Sequence, residues 1–306
     1  MFINHNIDAI MVCRYMNIHL AFASRAMRRI SSGRRINSAA DDPAGLSISE
    51  KMEAQIRGLQ QSSRNAQDGI SAIQVADGAL NETTSMLQRL RQLAVQVSNG
   101  TLTDQDRKNI QIEVDELTSG INKIATDTEF NTIKLLDPDG SDKANSNLKL
   151  QVGANQGQIM GVPIPDMKSN AINISGAAGA EIKSKDGSVT GRFSTTKCND
   201  ASGHALDLST PENARAAIKI YNDAINQVSS SRSSLGAMEN ALEYRINYLD
   251  NTAENLEAAE SRITDADIAK EMMEYTKQNI LYQCCQAMFM QVDRKPEGII
   301  ELLKSL

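Results

Sequence analysis

The residues with which this chain could ligate a metal or attack an electrophile are few. Three histidines (His5, His19, His204) and four cysteines (Cys13, Cys198, Cys284, Cys285) stand in 306 residues. Their spacing suits neither chemistry. No CxxC occurs, and no cysteine pair lies at a zinc-ligand distance from a histidine, so neither a zinc site nor a disulfide framework is expected. HExxH, Walker, GxGxxG and GxSxG sequences do not occur, and no nucleophile has an evident base. The acidic pair Asp41 and Asp42 has no converging partners for Ca²⁺ or Mg²⁺. The expectation is a non-enzyme without catalytic, metal or cofactor site. Adjacent Cys284 and Cys285 read as small hydrophobes on neighbouring helix positions, with a redox-active pair as the alternative.

The composition points instead to long helices. Apolar residues make up 41% of the chain but aromatic ones only 4%, with no Trp and thirteen Met, so the core must come from aliphatic seams rather than large rings. The six prolines leave residues 44 to 137 and 212 to 295 free of helix breakers. A net charge of −6 argues against nonspecific nucleic-acid binding, which needs a basic surface. No apolar stretch approaches the roughly 20 residues that span a bilayer, and the N-terminus lacks the pattern of a cleaved secretory signal.

Seven-residue series carry those two runs. Met52, Leu59, Ala66, Ile73, Leu80, Leu87 and Ala94 form the first, supplemented by Ile56 and Ile70. Ala214, Tyr221, Val228, Leu235, Leu242, Leu249, Leu256 and Ile263 form the second, interleaved by Ile218, Ile225, Ile246 and Ala253. Both spacings predict coiled-coil-like helices, and about 50 residues of helix would extend roughly 75 Å. A third helix, with Ile110, Val114, Leu117, Ile121 and Ile124, opens on a Thr103-Asp104 cap and folds back across Asn99-Gly100. Hairpins are expected between 129 and 165, as at Leu148 to Val152. Residues 166 to 210, rich in Ser, Gly, Ala, Asn and Lys, predict a small, surface-exposed insertion that is the least constrained part of the chain.

The two ends carry single amphipathic helices with no third partner in sequence. Ordering such arms costs on the order of 1–2 kcal/mol per residue, more than one helix pair offsets, so other subunits must supply burial. Residues 1 to 35 carry six Arg against one Asp, and residues 254 to 274 carry seven acids against Arg262 and Lys270. Those surfaces either guide pairing or are simply solvated.

Beyond these patterns, the chain resembles a known family. The stretches SSGRRINSAADDPAGLSISEKMEAQIRGLQQ (from 31), LQRLRQLAVQVSNGT (87 to 101), DTEFNTIKLLD (127 to 137) and SSLGAMENALEYRINYLDNTAENLEAAESRITDADIAKEMMEYTKQNIL (233 to 281) are similar to bacterial flagellins, in the same order. The resemblance implies a mainly α fold: a long antiparallel coiled-coil-like helical rod with a β-hairpin element, a small variable insertion, and terminal helices forming an inner coiled coil. It divides the chain into an N-terminal inner-tube helix and connector (1–43), an outer-tube rod with hairpins (44–165), the insertion (166–210), the second rod helix (211–262) and a C-terminal inner-tube helix (263–306).

The function so implied is a structural subunit that polymerises into the flagellar filament for swimming, exported unfolded through type III export and folding its termini on assembly. Implied partners are further copies in a homopolymer, an export chaperone, and cap and junction proteins. The implied location is secreted, in a flagellar filament that is external or, as in spirochetes, periplasmic. Alternatives are a hook-filament junction protein, or an amphipathic membrane-associated or adhesin module. Inner-tube packing falls to Ile3, Ile7, Ile10, Leu20, Met27, Ile280, Leu281, Leu302 and Leu303, and the connector to Asp41, Asp42 and Gly45. In the connector Asp42 can cap a helix that Pro43 begins, Gly45 permits close approach, and Asp41 or Asp42 is expected to make an intersubunit contact.

LQRLRQLAVQV resembles the patch recognised by Toll-like receptor 5, with Arg89 and Leu93 at its centre, Gln92 where the family commonly has Glu, and Glu113 on the neighbouring helix. The alternative places Leu93 in the seam with Arg89 solvated. The cysteines, Arg28-Arg29 and the run Met290 to Arg294 depart from the family's usual pattern.

Overall fold

A computed structural model describes residues 6–137, 147–184, 190–194 and 203–304; the side chains of 147 and 295–304 are not described. Ile3, His5 and Cys198 therefore lie outside the described residues. In chain order the elements are α1 (Ile7–Ser32), α2 (Pro43–Val97), α3 (Asp104–Asp127), β1 (Glu129–Phe130), β2 (Ile133–Lys134), β3 (Asn147–Gln151), β4 (Ile159–Pro163), β5 (Ser175–Gly176), β6 (Glu181–Lys183), β7 (Thr190–Arg192), β8 (His204–Ala205), α4 (Pro211–Thr264) and α5 (Ile268–Lys304). The fold is mainly α, with short antiparallel strand pairs, as the heptad runs predict. The chain divides into two compact units, Met1–Arg57 with Thr252–Leu306, and Gly58–Asn251.

In the unit Gly58–Asn251 the seams fall where the seven-residue series place them. Ala66, Ile73, Leu80, Leu87 and Ala94 of α2 share one buried core with Ala214, Tyr221, Val228, Leu235 and Leu242 of α4 and with Val114 and Ile121 of α3. Polar pairs fix the register. Arg232 donates from Nε to Asp77 Oδ1 at 2.8 Å, from one terminal nitrogen to Asp77 Oδ2 at 3.2 Å and from the other to Asn81 Oδ1 at 3.1 Å, while Gln74 donates to Glu239 at 2.8 Å. Numbers rising on α2 meet numbers falling on α4, so the two helices are antiparallel. Arg232 is held further toward its charged form chiefly by the Asp77 hydrogen bonds, against a smaller desolvation effect.

α3 begins with a reciprocal cap, Thr103 Oγ1 accepting from Asp106 N at 3.3 Å and Asp106 Oδ2 accepting from Thr103 N at 3.1 Å. The Thr103 hydroxyl and amide hold the Asp106 carboxyl below its ordinary range. A two-residue turn at Asn131 and Thr132, both at positive φ, joins β1 to β2. The β3–β4 hairpin pairs Leu148 with Val162 and Leu150 with Met160. It seats on α2 where glycine leaves room, since a Cβ on Gly69 would collide with Leu150 Cδ1. Arg245 of α4 donates to Val152 O at 3.1 Å, holding the end of that hairpin.

The segment 166–210 departs from expectation. Its described part is not a loosely held surface insertion, because Met167, Ile172, Ile174, Phe193, Leu206 and Leu208 are buried in the same core as the helices. Polar side chains of α3 and α4 fasten its backbone and side chains: Gln111 donates to Leu206 O at 3.1 Å and accepts from Leu208 N at 2.9 Å, Asn122 accepts from Ser169 N at 2.9 Å, and Asp223 accepts from Ser184 Oγ at 2.8 Å. Composition understated this because a few well-placed apolar residues, rather than a high average, make the contact. Gln111 also donates to Asp115 Oδ1 at 2.9 Å. Burial raises the Asp115 carboxyl above its ordinary value, partly opposed by the Gln111 bond and by His204.

In the other unit, α1 and α5 pack on each other. Asn6 caps α1 by accepting from Ala9 N at 3.1 Å, and Gly33 closes it at φ +70°, a conformation open to glycine. Asn6 Nδ2 also donates to Val292 O at 3.4 Å. Helix α5 continues through Pro296, which has no N–H to offer Val292, so Asn6 meets a carbonyl the helix leaves unused. Among the described residues no helix is long and apolar enough to cross a membrane.

Candidate interaction surfaces

The connector between α1 and α2 is fastened from both sides. Arg34 bridges to Asp265 in antiparallel fashion, Arg35 N donates to Thr264 O at 2.6 Å, and its guanidinium donates to Ile263 O at 2.5 Å. Ala266 N returns a bond to Gly33 O at 2.9 Å. Asp41 Oδ2 accepts from Asn37 N, Ser38 N and Ser38 Oγ at 3.2 to 3.3 Å, closing a small turn. Desolvation there works against the charge, but these hydrogen bonds and Arg29 outweigh it and hold the carboxyl below its usual range.

Asp42 Oδ1 accepts from Gly45 N at 3.0 Å, which makes it the cap of α2 with Pro43 as first helical residue. A Cβ on Gly45 would stand 2.5 Å from Asp42 Oδ2 and 2.8 Å from Cδ1 of buried Ile36. Both acids thus serve the chain's own turn. Ile36 and the two arginines that grip the end of α4 were not among the residues singled out from sequence. The Arg-Arg-Ile triplet after a capping glycine was the available signal.

The α1–α5 pair has one sheltered face and one bare one. Ala23 and Ala26 are buried, His19 Nδ1 lies 2.7 Å from Oε1 of buried Gln278, and Arg29 pairs with Glu271 at 3.1 Å. Gln278 in turn donates to Glu274 at 2.6 Å; that bond first, and Lys277 second, lowers the Glu274 carboxyl. Of the expected packing residues, Ile7 (62% exposed), Ile10 (63%), Leu20, Met27, Ile280 and Leu281 all lie on the outside, joined by Tyr15, Phe22 and Met273. Leu302 and Leu303 belong to α5, with side chains not described. This is a run of large apolar side chains along two helices, far more than scattered surface residues account for.

On the bundle, Arg89 Nε and one terminal nitrogen both lie 2.8 Å from Glu113 Oε1, with both side chains about half exposed. Gln92 is exposed beside them. Leu93 is only 1% exposed and faces the core, so it cannot serve as a surface anchor. This corrects the expectation for Leu93: on α2 it is one residue from Gln92 but about 100° around the helix, which turns it into the seam. What this surface presents is an arginine–glutamate pair and an amide.

Two family models match. The description "Bacterial flagellin N-terminal helical region" covers residues 3–140 and "Bacterial flagellin C-terminal helical region" covers residues 218–303. The chain is 46% identical over 304 residues to a flagellin of Halalkalibacterium halodurans, covering 99% of this chain and all of that one. It is 38% identical over 309 residues to the flagellar filament 31.3 kDa core protein of Treponema maltophilum, again with 99% and 100% coverage. Among solved structures, a putative flagellar hook-associated protein from Vibrio parahaemolyticus is similar in fold alone, with a TM-score of 0.52 at 15% identity, over 74% of this chain and 100% of that one.

Proposed function

Because the chain belongs to the bacterial flagellin family and is thereby a structural subunit of the flagellar filament, we propose that assembly is driven by the bare face of the α1–α5 pair. The observation that carries this reading is the exposure of Ile7, Ile10, Leu20, Met27, Met273 and Ile280 in a single chain. Each fully buried side chain of this kind is worth roughly 1.5–3 kcal/mol, so stacking copies offsets the entropy of ordering the arms, which one pair alone does not. Head-to-tail contacts that do not close build a helical filament. On this reading residues 1–43 and 263–306 form the inner tube, and the bundle with its hairpins forms the outer rod.

The same family reading extends to export as an unfolded chain, with a chaperone before assembly and cap and junction proteins at the filament ends. The exposed Arg89, Gln92 and Glu113 would meet Toll-like receptor 5, with Leu93 shaping the surface from below. Among the described residues no group of three or more His, Cys, Asp or Glu side chains is arranged to hold a metal ion.

Electron microscopy of the purified protein with and without filament fragments as seeds tests the assembly reading. Growth from seeds, accompanied by a rise in helical circular dichroism, is expected. Liposome binding without any polymerisation would favour a membrane-associated module instead.

A further inference from the structure

We infer that hydrogen peroxide converts the methionines of α1 and α5 to sulfoxides in the unassembled subunit, which stops it from joining a filament and leaves its bundle intact; this rests on the assembly role proposed above for those two helices. Methionine is divided unevenly between the two units. Met11, Met27, Met272, Met273, Met288 and Met290 are exposed, at 47% to 67%, and all six belong to α1 or α5. In the unit Gly58–Asn251 no described methionine is exposed. Met167 is 1% exposed in the core, and Met86, Met160 and Met238 are partly buried against it. Met16 and Met52 are half-buried.

Oxidation of a thioether follows the access of oxidant to sulfur. The exposures above hold for ordered arms, and an arm that is unfolded before assembly opens its sulfurs further. In either state the six react ahead of the four in the bundle. Once further copies cover α1 and α5 the same sulfurs lose access, so the reaction acts on the subunit before it joins rather than on the filament already built.

The chemistry is a single oxygen transfer. The sulfur lone pair attacks one peroxide oxygen, the O–O bond breaks as the S–O bond forms, and the second oxygen leaves as water with both peroxide protons. Sulfur loses two electrons and the peroxide gains them. Methionine is an apolar, adaptable side chain suited to packing between copies, whereas its sulfoxide is polar. Taking that oxygen out of water is unfavourable unless a donor meets it. The side chains exposed on the same two helices, among them Ile7, Ile10, Leu20, Phe22 and Ile280, have no donor to offer. None of the six methionines belongs to the bundle's seams, so the bundle keeps its packing.

The test uses the full chain. Its four cysteines are capped as methyl disulfides before the peroxide step and released with dithiothreitol after it, in treated and untreated portions alike, so that thiol oxidation plays no part. Peptide mass spectrometry follows the gain of one oxygen at each methionine, and the six in α1 and α5 should react before Met86, Met160, Met167 and Met238. Growth on untreated filament fragments should then need at least about tenfold more subunit, the penalty of burying an unpaired polar group. The urea midpoint of the bundle should stay put. Methionine sulfoxide reductases A and B, one for each sulfoxide epimer, should restore growth. Equal growth from treated and untreated subunits would overturn the inference, as would bundle methionines reacting as fast as those of the arms, or growth that stays lost after the reductases have returned the sulfoxides to thioethers. Untreated subunits that fail to grow from seeds would overturn the assembly role itself, and the inference with it.

Discussion

Asp42 and Gly45 work as one device at the head of α2, the acid capping the helix and the glycine giving it room beside Ile36. Asp42→Ala should cost about 1 kcal/mol of stability, as loss of a cap does. Gly45→Ala should cost more, about 1–3 kcal/mol, because the new methyl meets both the carboxylate and a buried side chain. Thermal melts of the purified protein, ordered wild type above Asp42→Ala above Gly45→Ala, check the pair. Asp115 makes a prediction of the opposite sign. Its carboxyl is raised by burial, so the folded state binds the proton more tightly than the unfolded chain does. That group's contribution is therefore fullest below the ordinary carboxylate value and declines as pH rises through the raised value. Asp115→Asn, which still accepts from Gln111, should be more stable than wild type at pH 7, and the gain should shrink as the pH falls toward about 4. Urea melts at several pH values measure this. Arg89, in a half-exposed ion pair, should matter little for stability, at most about 1 kcal/mol. If the surface with Glu113 and Gln92 meets the receptor, Arg89→Ala should lower signalling in a Toll-like receptor 5 reporter cell while the melt stays put; unchanged signalling from an active protein would discard the assignment.

Among the elements, the helix bundle and the hairpin show two kinds of fit. The α2 seam is filled by Leu and Ile at seven-residue spacing, and Leu87 is fully buried within it. Leu87→Ala should cost about 2–5 kcal/mol, transfer plus cavity, visible as a lower urea midpoint. The hairpin instead depends on an absence: Gly69 lets Leu150 lie against the backbone of α2. Gly69→Ala gains helix propensity of roughly 1 kcal/mol, yet the clash with Leu150 should reverse the sign. A lower melting temperature together with shifted Leu148 and Leu150 methyl resonances is the expected result. The segment 166–210 follows the same rule on a smaller scale, with Gln111, Asn122 and Asp223 holding it where few large side chains are available.

For the molecule as a whole, the two units face different problems. The unit Gly58–Asn251 buries its seams among its own elements, whereas the α1–α5 pair leaves many large apolar side chains uncovered. Placing a charge on that face should separate assembly from folding. Ile10→Asp with Met273→Asp should abolish seeded filament growth while leaving the melting of the bundle, followed by protection of α2 and α3 amides, unchanged. Loss of bundle protection alongside assembly would show that the two residues support the fold of the single chain instead.

The sequence alone determined the helices, because seven-residue periodicity and the positions of proline are local properties of the chain, and it determined the α2 cap, whose Asp-Pro-Ala-Gly spacing is read within one turn. It also separated arms from bundle, since an apolar stripe without a partner in sequence is visible by counting. Tertiary structure decided what depends on angle and approach. Leu93 and Gln92 are neighbours in sequence and occupy opposite environments, because the seam's direction is set by α3 and α4. The burial of 166–210 rests on polar side chains reaching it from distant helices, which composition does not record. The register of α1 against α5 came from three cross-links between the chain's two ends. Contacts between residues more than 240 positions apart leave no periodic trace in the sequence.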